Sequence, residues 1–131
     1  MGSRSAAGSL HLPVQLRGIQ LGRPTDILLD LDAWNVLGFA VLCGDESRRF
    51  LPYAAAVVSD DVIAVGSALM LLEDAGFYER RGTSFRSLLG TELEGGTLRD
   101  VTLDATGHVT ELEVEREGIR VAAPVPARAA A

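Results

Sequence analysis

The sequence contains no lysine, a single cysteine and few aromatic residues. All 12 basic residues are arginines, set against 18 carboxylates, and the net charge is -6. An acidic surface repels phosphate backbones unless arginines cluster, so nucleic-acid binding is disfavoured. Cys43 has no second cysteine to pair with, and its apolar neighbours in the sequence indicate a small buried side chain. We therefore predict a cytoplasmic protein without disulfides.

Long apolar runs and catalytic motifs are also lacking. The longest apolar-rich run, 62–72, is broken by Gly66 and Ser67 and is too short to cross a bilayer, so we predict no membrane insertion. The sequence has no G-x-S-x-G, no H-E-x-x-H and no glycine pattern that opens a helix, and His11 and His108 lack neighbours at metal-ligand spacing. We predict no catalytic residue, no metal ligand and no cofactor, and hence no enzyme.

The sequence does contain one strand-turn-strand pattern that occurs twice. Residues 26–41 read D-I-L-L-D-L-D-A-W-N-V-L-G-F-A-V, and residues 100–114 read D-V-T-L-D-A-T-G-H-V-T-E-L-E-V. Apolar residues recur on both sides of an acidic turn, which predicts a duplicated β-hairpin. With one residue deleted in the second copy, the matched pairs are Asp26 and Asp100, Ile27 and Val101, Leu29 and Leu103, Asp30 and Asp104, Val36 and Val109, Phe39 and Leu112, and Val41 and Val114.

Many short strands, closely spaced turns and one helix predict an all-β barrel or sandwich made of two related units. The helix is predicted over 68–74, with Ser67 as its N-cap and Gly76 as its stop. The predicted boundaries are a disordered leader at 1–12, unit 1 at 13–66, the helix and connector at 67–83, a shorter unit 2 at 84–122, and a flexible tail at 123–131.

Three segments of unit 1 together form a pattern that is typical of one protein family. They are G-R-P-T-D-I-L-L-D at 22–30, V-L-G-F-A-V at 36–41 and R-F-L-P-Y at 49–53. Together they resemble the PRC-barrel family. Unit 2 keeps the G-H-V at 107–109 but has only I-R-V at 119–121 where unit 1 has F-L-P. The resemblance implies two small PRC-barrel-like β-barrel units, the second of them incomplete, joined by a short helix.

The resemblance also implies a class of function. Better-understood family members are protein-docking modules, among them the cytoplasmic domain of the reaction-centre H subunit and the C-terminal domain of a ribosome-maturation factor that binds a ribosomal protein. We therefore expect a non-catalytic adaptor with a protein partner. The alternative is an accessory factor in RNA processing or ribosome assembly that contacts RNA or a ribosomal protein. A small-molecule or enzymatic role in the barrel mouth is a third reading, with no motif behind it.

Unit 2 ends before any counterpart of the hairpin at 57–65, which leaves a strand edge to be covered. Either unit 1 or a second copy of the chain covers it, and we expect a homo-oligomer. The alternating glutamates at 111–117 are expected to form the solvated face of a strand, or else an acidic stripe for a basic partner.

Seven residues are candidates for contact with a partner. Trp34 is the only tryptophan and sits at the first hairpin turn, where it is either an interface anchor or a side chain that folds back over the barrel mouth or the other unit. We expect the aromatic connector residues to fold back onto the barrel. Besides Trp34, the candidates are Asp32, Asn35, Arg48, Arg49, Phe77 and Tyr78.

Overall fold

The computed structural model describes residues 3–126, and its regular elements are short strands and shorter helices. In chain order they are β1 (Arg4–Ser5), α1 (Ala6–Ser9), β2 (Val14–Leu16), β3 (Ile19–Asp30), β4 (Asn35–Cys43), β5 (Arg48–Pro52), a 3-10 helix (Tyr53–Ala55), β6 (Ala56–Val58), β7 (Ile63–Val65), a second 3-10 helix (Ala68–Met70), α2 (Ala75–Glu79), β8 (Thr83–Ser84), α3 (Phe85–Leu88), β9 (Glu92–Leu93), β10 (Gly96–Leu103), β11 (Val109–Arg116) and β12 (Ile119–Ala123).

The strands form two curled sheets, one for each predicted unit. In unit 1 the order is β5-β4-β3-β2-β7-β6, with β8 also paired to β3. In unit 2 the order is β1-β10-β11-β12, with β9 also paired to β10. All of these pairs are antiparallel except β2 with β7. The predicted all-β fold of two related units is confirmed.

The two hairpins match each other pair for pair. In unit 1, β3 sets Leu29 opposite Val36, and in unit 2, β10 sets Leu103 opposite Val109. Each first strand also has two register shifts, and they fall at corresponding places. Such bulges bend a strand and increase its twist, so both hairpins curl in the same way. The duplication in the sequence is therefore a duplication of backbone geometry.

A single hydrophobic core lies between the two sheets. It combines residues from both hairpins, and the alternation of apolar residues along each strand places them on the inner face. The hairpin residues that are at most 6% exposed in this core are Ile27, Leu29, Val36, Phe39 and Val41 of unit 1 and Leu98, Val101, Leu103, Val109, Leu112 and Val114 of unit 2. Neither sheet buries its inner face without the other.

Each sheet is extended by a short strand and helix that come, in sequence order, just before the other unit. We name these segments arm 1 (residues 4–9, β1 and α1) and arm 2 (residues 83–88, β8 and α3). Arm 1 pairs with β10 of unit 2, and arm 2 pairs with β3 of unit 1. The units therefore exchange their arms within one chain, whereas the sequence assigned residues 84–88 to unit 2 itself.

One aspartate in each hairpin holds the incoming arm. Asp100 accepts the hydroxyl of Ser5 and, at 3.0 Å, the backbone N–H of Ala7. Asp26 accepts hydrogen bonds from the hydroxyl of Ser84 and, at 3.0 Å, from the backbone N–H of Arg86. Both serines are also N-caps of the helices that follow them. The matched aspartates of the sequence thus anchor the two arms.

The predicted disordered leader is corrected by this arrangement for residues 3–12. Small and polar letters suggested no structure there, but Ala6 is fully buried in the core and the Asp100 carboxylate fixes the backbone beside it. The contacts that stabilise this segment come from a distant part of the chain, so no local sequence pattern predicts them. Residues 1–2 of the leader and 127–131 of the tail lie outside the described residues.

The predicted helix at 68–74 is also corrected. Ser67 caps only the second 3-10 helix, and Leu72 is extended because it pairs with β5. The α-helix α2 begins after Asp74, whose carboxylate caps it, and Gly76 lies inside α2 instead of ending a helix. Pairing with a neighbouring strand has overridden the local helical signal.

Candidate protein-interaction surfaces

The turns of the two hairpins meet and join the units. The backbone N–H of Val36 donates to the carbonyl of Gly107 at 2.8 Å, and the N–H of Val109 donates to the carbonyl of Trp34 at 2.8 Å. Trp34 and Gly107 occupy matched positions, and both have positive φ, 51° and 90°. The two bonds are therefore related by an approximate twofold axis through the junction.

The glycine at this junction is required by its surroundings. A Cβ on Gly107 would lie 2.9 Å from the ring of Tyr53, which packs over it. Burial raises the pKa of the Tyr53 phenol above its ordinary value. Tyr53 also lies 5.9 Å from the ring of Phe39, centroid to centroid. Unit 1 thus covers the turn of unit 2 with an aromatic side chain.

The structure places Trp34 and Asn35 at this junction. Trp34 is half-buried and packs against the shared core, which corresponds to the folded-back alternative for its side chain. The Oδ1 atom of Asn35 is buried and has no hydrogen-bond partner among the described residues. Contact of either residue with a partner protein stays a prediction.

The outer face of unit 1, turned away from the shared core, is covered by the connector. Leu28, Ala40 and Phe50 are buried there although they do not belong to the shared core. Tyr78 stacks on Phe50 with ring centroids 4.4 Å apart. A Cβ on Gly82 would lie 3.1 Å from the Cβ of Leu28, so glycine allows the connector to approach closely. The expected fold-back of the connector is confirmed.

A groove runs beside this aromatic stack, with a volume of about 530 Å³. It brings together two of the predicted interaction residues, Asp32 and Tyr78. Phe77 packs edge-on against Tyr78, and the guanidinium of Arg81 lies 4.3 Å from the Phe77 ring centroid. The groove is lined by Asp30, Asp32, Leu37, Phe50, Pro52, Tyr78 and Arg81.

The two adjacent arginines do not join this groove. Arg48 forms a salt bridge with Glu79 of α2. Arg49 lines a separate hollow of about 470 Å³, together with Cys43 and Asp45. The two arginines are therefore divided between two surfaces.

The edge of β5 is closed within the chain. The N–H of Phe50 donates to the carbonyl of Leu72 at 2.9 Å, and the N–H of Leu72 donates to the carbonyl of Phe50 at 2.8 Å. One extended residue of the connector thus satisfies the outward-facing backbone groups at the centre of this edge strand.

The corresponding edge of unit 2 is β12. The turn of its hairpin determines which residues of β12 direct their backbone N–H and C=O groups toward β11, an alternation that we call the hydrogen-bond phase. The turn residues Glu117 and Gly118 have φ of 52° and 80°, as in a two-residue type I′ turn. In such a hairpin the flanking residues, Arg116 and Ile119, exchange backbone hydrogen bonds, and every second pair beyond them does so too. Alternate residues of β12 from Ile119 onward therefore direct their backbone groups toward β11.

The residues between them, Arg120 and Ala122, direct their N–H and C=O groups away from the sheet. Among residues 3–126, nothing pairs with this side of β12. Ala122 occupies the position that Phe50 has in β5, as its pairing with Glu113 shows. Ile119 is 66% exposed at the start of the strand. The sequence predicted that unit 2 is incomplete, but it did not identify these edge residues. The Glu117-Gly118 turn was the available signal for them.

The outer face of unit 2 is polar, in contrast to that of unit 1. Glu111, Glu113 and Glu115 project from it, as the alternation predicts, whereas Glu117 lies in the turn after β11. Arg120 bonds Glu113 at 2.7 Å, and Arg99 bonds Glu115 at 3.2 Å. Two of the three carboxylates are thus paired with arginines, and the face is a solvated one.

Candidate metal ligands are not clustered in the part of the chain that the structure describes. Within it, no three His, Cys, Asp or Glu side chains come together as metal ligands would. None of the helices between residues 3 and 126 has the length and apolar character needed to cross a membrane. The pKa of Asp45 and that of Asp104 are lowered, first by the side-chain hydrogen bonds from Ser47 and Thr106.

Comparison with known proteins gives no family for this chain. No protein-family model matches the sequence, and no curated protein matches it.

Proposed function

We propose that this protein is a non-catalytic protein-interaction module that self-associates through the open edge of β12. The observation that supports the proposal is the difference between two matched edge strands. Phe50 in β5 bonds Leu72 of the same chain, whereas Ala122 in β12 has no such partner among residues 3–126. An unpaired row of N–H and C=O groups is a template for another strand. The PRC-barrel resemblance of unit 1 supports the same class of function.

The opposite end of the unit 1 sheet is a poorer template. Strand β6 has three residues, and the N–H of Ala56 at its start already donates to the carbonyl of Tyr53. The N–H of Ser59 donates to the carbonyl of Val62, and from this bond the alternation along β6 follows. Within residues 3–126, Val58 is then the one residue of β6 that keeps both its N–H and its C=O free for a partner. A single residue cannot hold a strand in register, so β12 is the better docking edge.

The edge is short, which sets the strength of the association. Each backbone hydrogen bond adds roughly 0.5–1.5 kcal/mol net. Loss of translational and rotational freedom costs at least about 4 kcal/mol. A few bonds and one exposed isoleucine from each chain therefore favour a weak dimer, which forms only toward high micromolar concentration and dissociates on dilution.

Sedimentation velocity over a micromolar concentration series tests the proposal. The wild-type chain is expected to shift from monomer to dimer, and Ala122→Pro is expected to remain monomeric, because proline removes an N–H that points away from the sheet. Ala105→Pro is the matched control, since Ala105 is an exposed alanine in a turn and distant in sequence from β12. A wild-type chain that is strictly monomeric at high micromolar concentration refutes self-association.

The alternative, an accessory role in RNA processing or ribosome assembly, has less support. Arg4, Arg48, Arg99 and Arg120 each bond a carboxylate, on elements from both units. Such pairing reduces the positive potential that RNA would need. Filter binding at low salt tests direct contact, and retention of RNA would favour the alternative.

A further inference from the structure

The hydrogen-bond phase of β12 determines how two copies can join. We infer that β12 of one chain pairs antiparallel with β12 of a second copy, across a twofold axis at Val121. This inference rests on the proposed self-association and goes further by assigning the register. In this register, Arg120 of each chain lies opposite Ala122 of the other chain. Both residues carry the backbone N–H and C=O groups that point away from their own sheet. Four backbone hydrogen bonds then form around the axis.

Neighbouring registers of the two β12 strands either lose a backbone hydrogen bond or place like charges opposite each other. An axis at Ala122 would place Arg120 opposite Pro124 of the second copy, and proline has no N–H to donate. An axis at Arg120 would set two arginines opposite each other, and like charges directly across a strand pair are destabilising. The register centred on Val121 avoids both costs.

Side-chain sizes favour the same register. Ile119, 66% exposed in one chain, lies opposite Ala123 of the second copy on the inner face, where a small residue leaves room for it. On the outer face, Arg120 lies opposite Ala122. The small alanine leaves space for the guanidinium between the carboxylates of the two chains, Glu113 among them, which adds charge complementarity.

Disulfide trapping of the full chain tests this register. In a Cys43→Ala background, Val121→Cys is expected to cross-link to itself under copper-phenanthroline oxidation, since residues at a non-hydrogen-bonded antiparallel pair have Cα atoms about 4.5 Å apart. Ile119→Cys is the matched control, because the two copies of residue 119 would lie four strand positions apart. We expect it to cross-link at least about tenfold more slowly.

A second pair of variants tests the register at positions that do not contact the core, because Val121 packs against it. Arg120→Cys and Ala122→Cys change exposed positions, and a mixture of the two is expected to form the heterodimer faster than either forms its homodimer. Faster cross-linking of Ile119→Cys, or of either exposed variant with itself, overturns the register while leaving a sedimenting dimer and the proposed function in place. Absence of any dimer by sedimentation overturns both.

Discussion

The two units have the same backbone but opposite outer faces. Inner residues are apolar in both, whereas three outer positions that are buried in unit 1 become polar or small in unit 2. The outer pairs are Leu28 and Thr102, Ala40 and Glu113, and Phe50 and Ala122. The connector covers the apolar outer face and also closes the β5 edge, so one segment accounts for both differences. A duplicated unit can thus keep its core while the covering element decides which edge stays open.

The largest expected effect tests whether the units share one core. Leu29→Ala and Leu103→Ala remove matched leucines that are at most 1% exposed. Each is expected to lower the free energy of unfolding by about 2–5 kcal/mol, through lost transfer free energy and a cavity. Chemical denaturation followed by circular dichroism measures the change and should give one transition in both variants.

The control for this comparison is Leu69→Ala. Leu69 is 86% exposed, so the change is expected to stay within about 0.5 kcal/mol of the wild type. Two separate transitions, with each variant affecting only one, would show that the units fold independently and that the shared core is not the source of stability.

The next effect concerns the exchanged arms. Asp26→Ala and Asp100→Ala each leave a serine hydroxyl and an arm amide without their acceptor, and we expect each to lower the free energy of unfolding by about 1–3 kcal/mol. Asp60→Ala is the control, because Asp60 is 96% exposed in its side chain and its ion pair with Arg4 is worth at most about 1 kcal/mol. Thermal denaturation measures all three, and a neutral Asp100→Ala beside a costly Asp26→Ala would indicate that arm 1 is undocked.

The smallest effect concerns two turns that use the same device, one in each unit. Asp104 accepts the Thr106 hydroxyl at 2.6 Å, as Asp45 accepts that of Ser47. Because these bonds lower the folded-state pKa, their stabilisation is present above about pH 4, the ordinary carboxyl value, and is lost as the pH falls through the folded-state pKa. Thr106→Val is expected to raise the pKa of Asp104.

Carboxyl-carbon NMR titration measures that change residue by residue. The pKa of Asp45 serves as the internal control, since its hydroxyl partner is untouched by the substitution. An Asp104 titration that is the same in Thr106→Val and the wild type would contradict the assigned cause.

Local pattern was sufficient to predict the hairpins but not their partners. The alternation around Asp26 and Asp100 specified two curled strand pairs, because register follows the apolar face. The arms were not predicted because Ser5 and Asp100, which bond each other, are 95 positions apart in the sequence. The small polar residues around Ser5 give no local indication of that contact. Leu72 escaped for the same reason, since pairing with β5 replaced the helix that Ser67 suggested.

The candidate surfaces were predicted to a similar extent. Tyr78 folds back as the aromatic connector suggested, because the alternative was to expose a large ring beside the apolar Phe50. Trp34 required the structure, since its burial depends on the position of the other unit. Ala122 also required it, because only the pairing shows which residues of β12 face outward.

The most direct test of the account is amide hydrogen exchange at the two matched edges, followed as the protein concentration is raised. We expect the Phe50 amide to be protected throughout, because Leu72 accepts its N–H within the chain. The Ala122 amide should exchange rapidly in dilute solution and gain protection as dimers form. An Ala122 amide that is fully protected in dilute protein, or that stays unprotected at high concentration, would contradict the account.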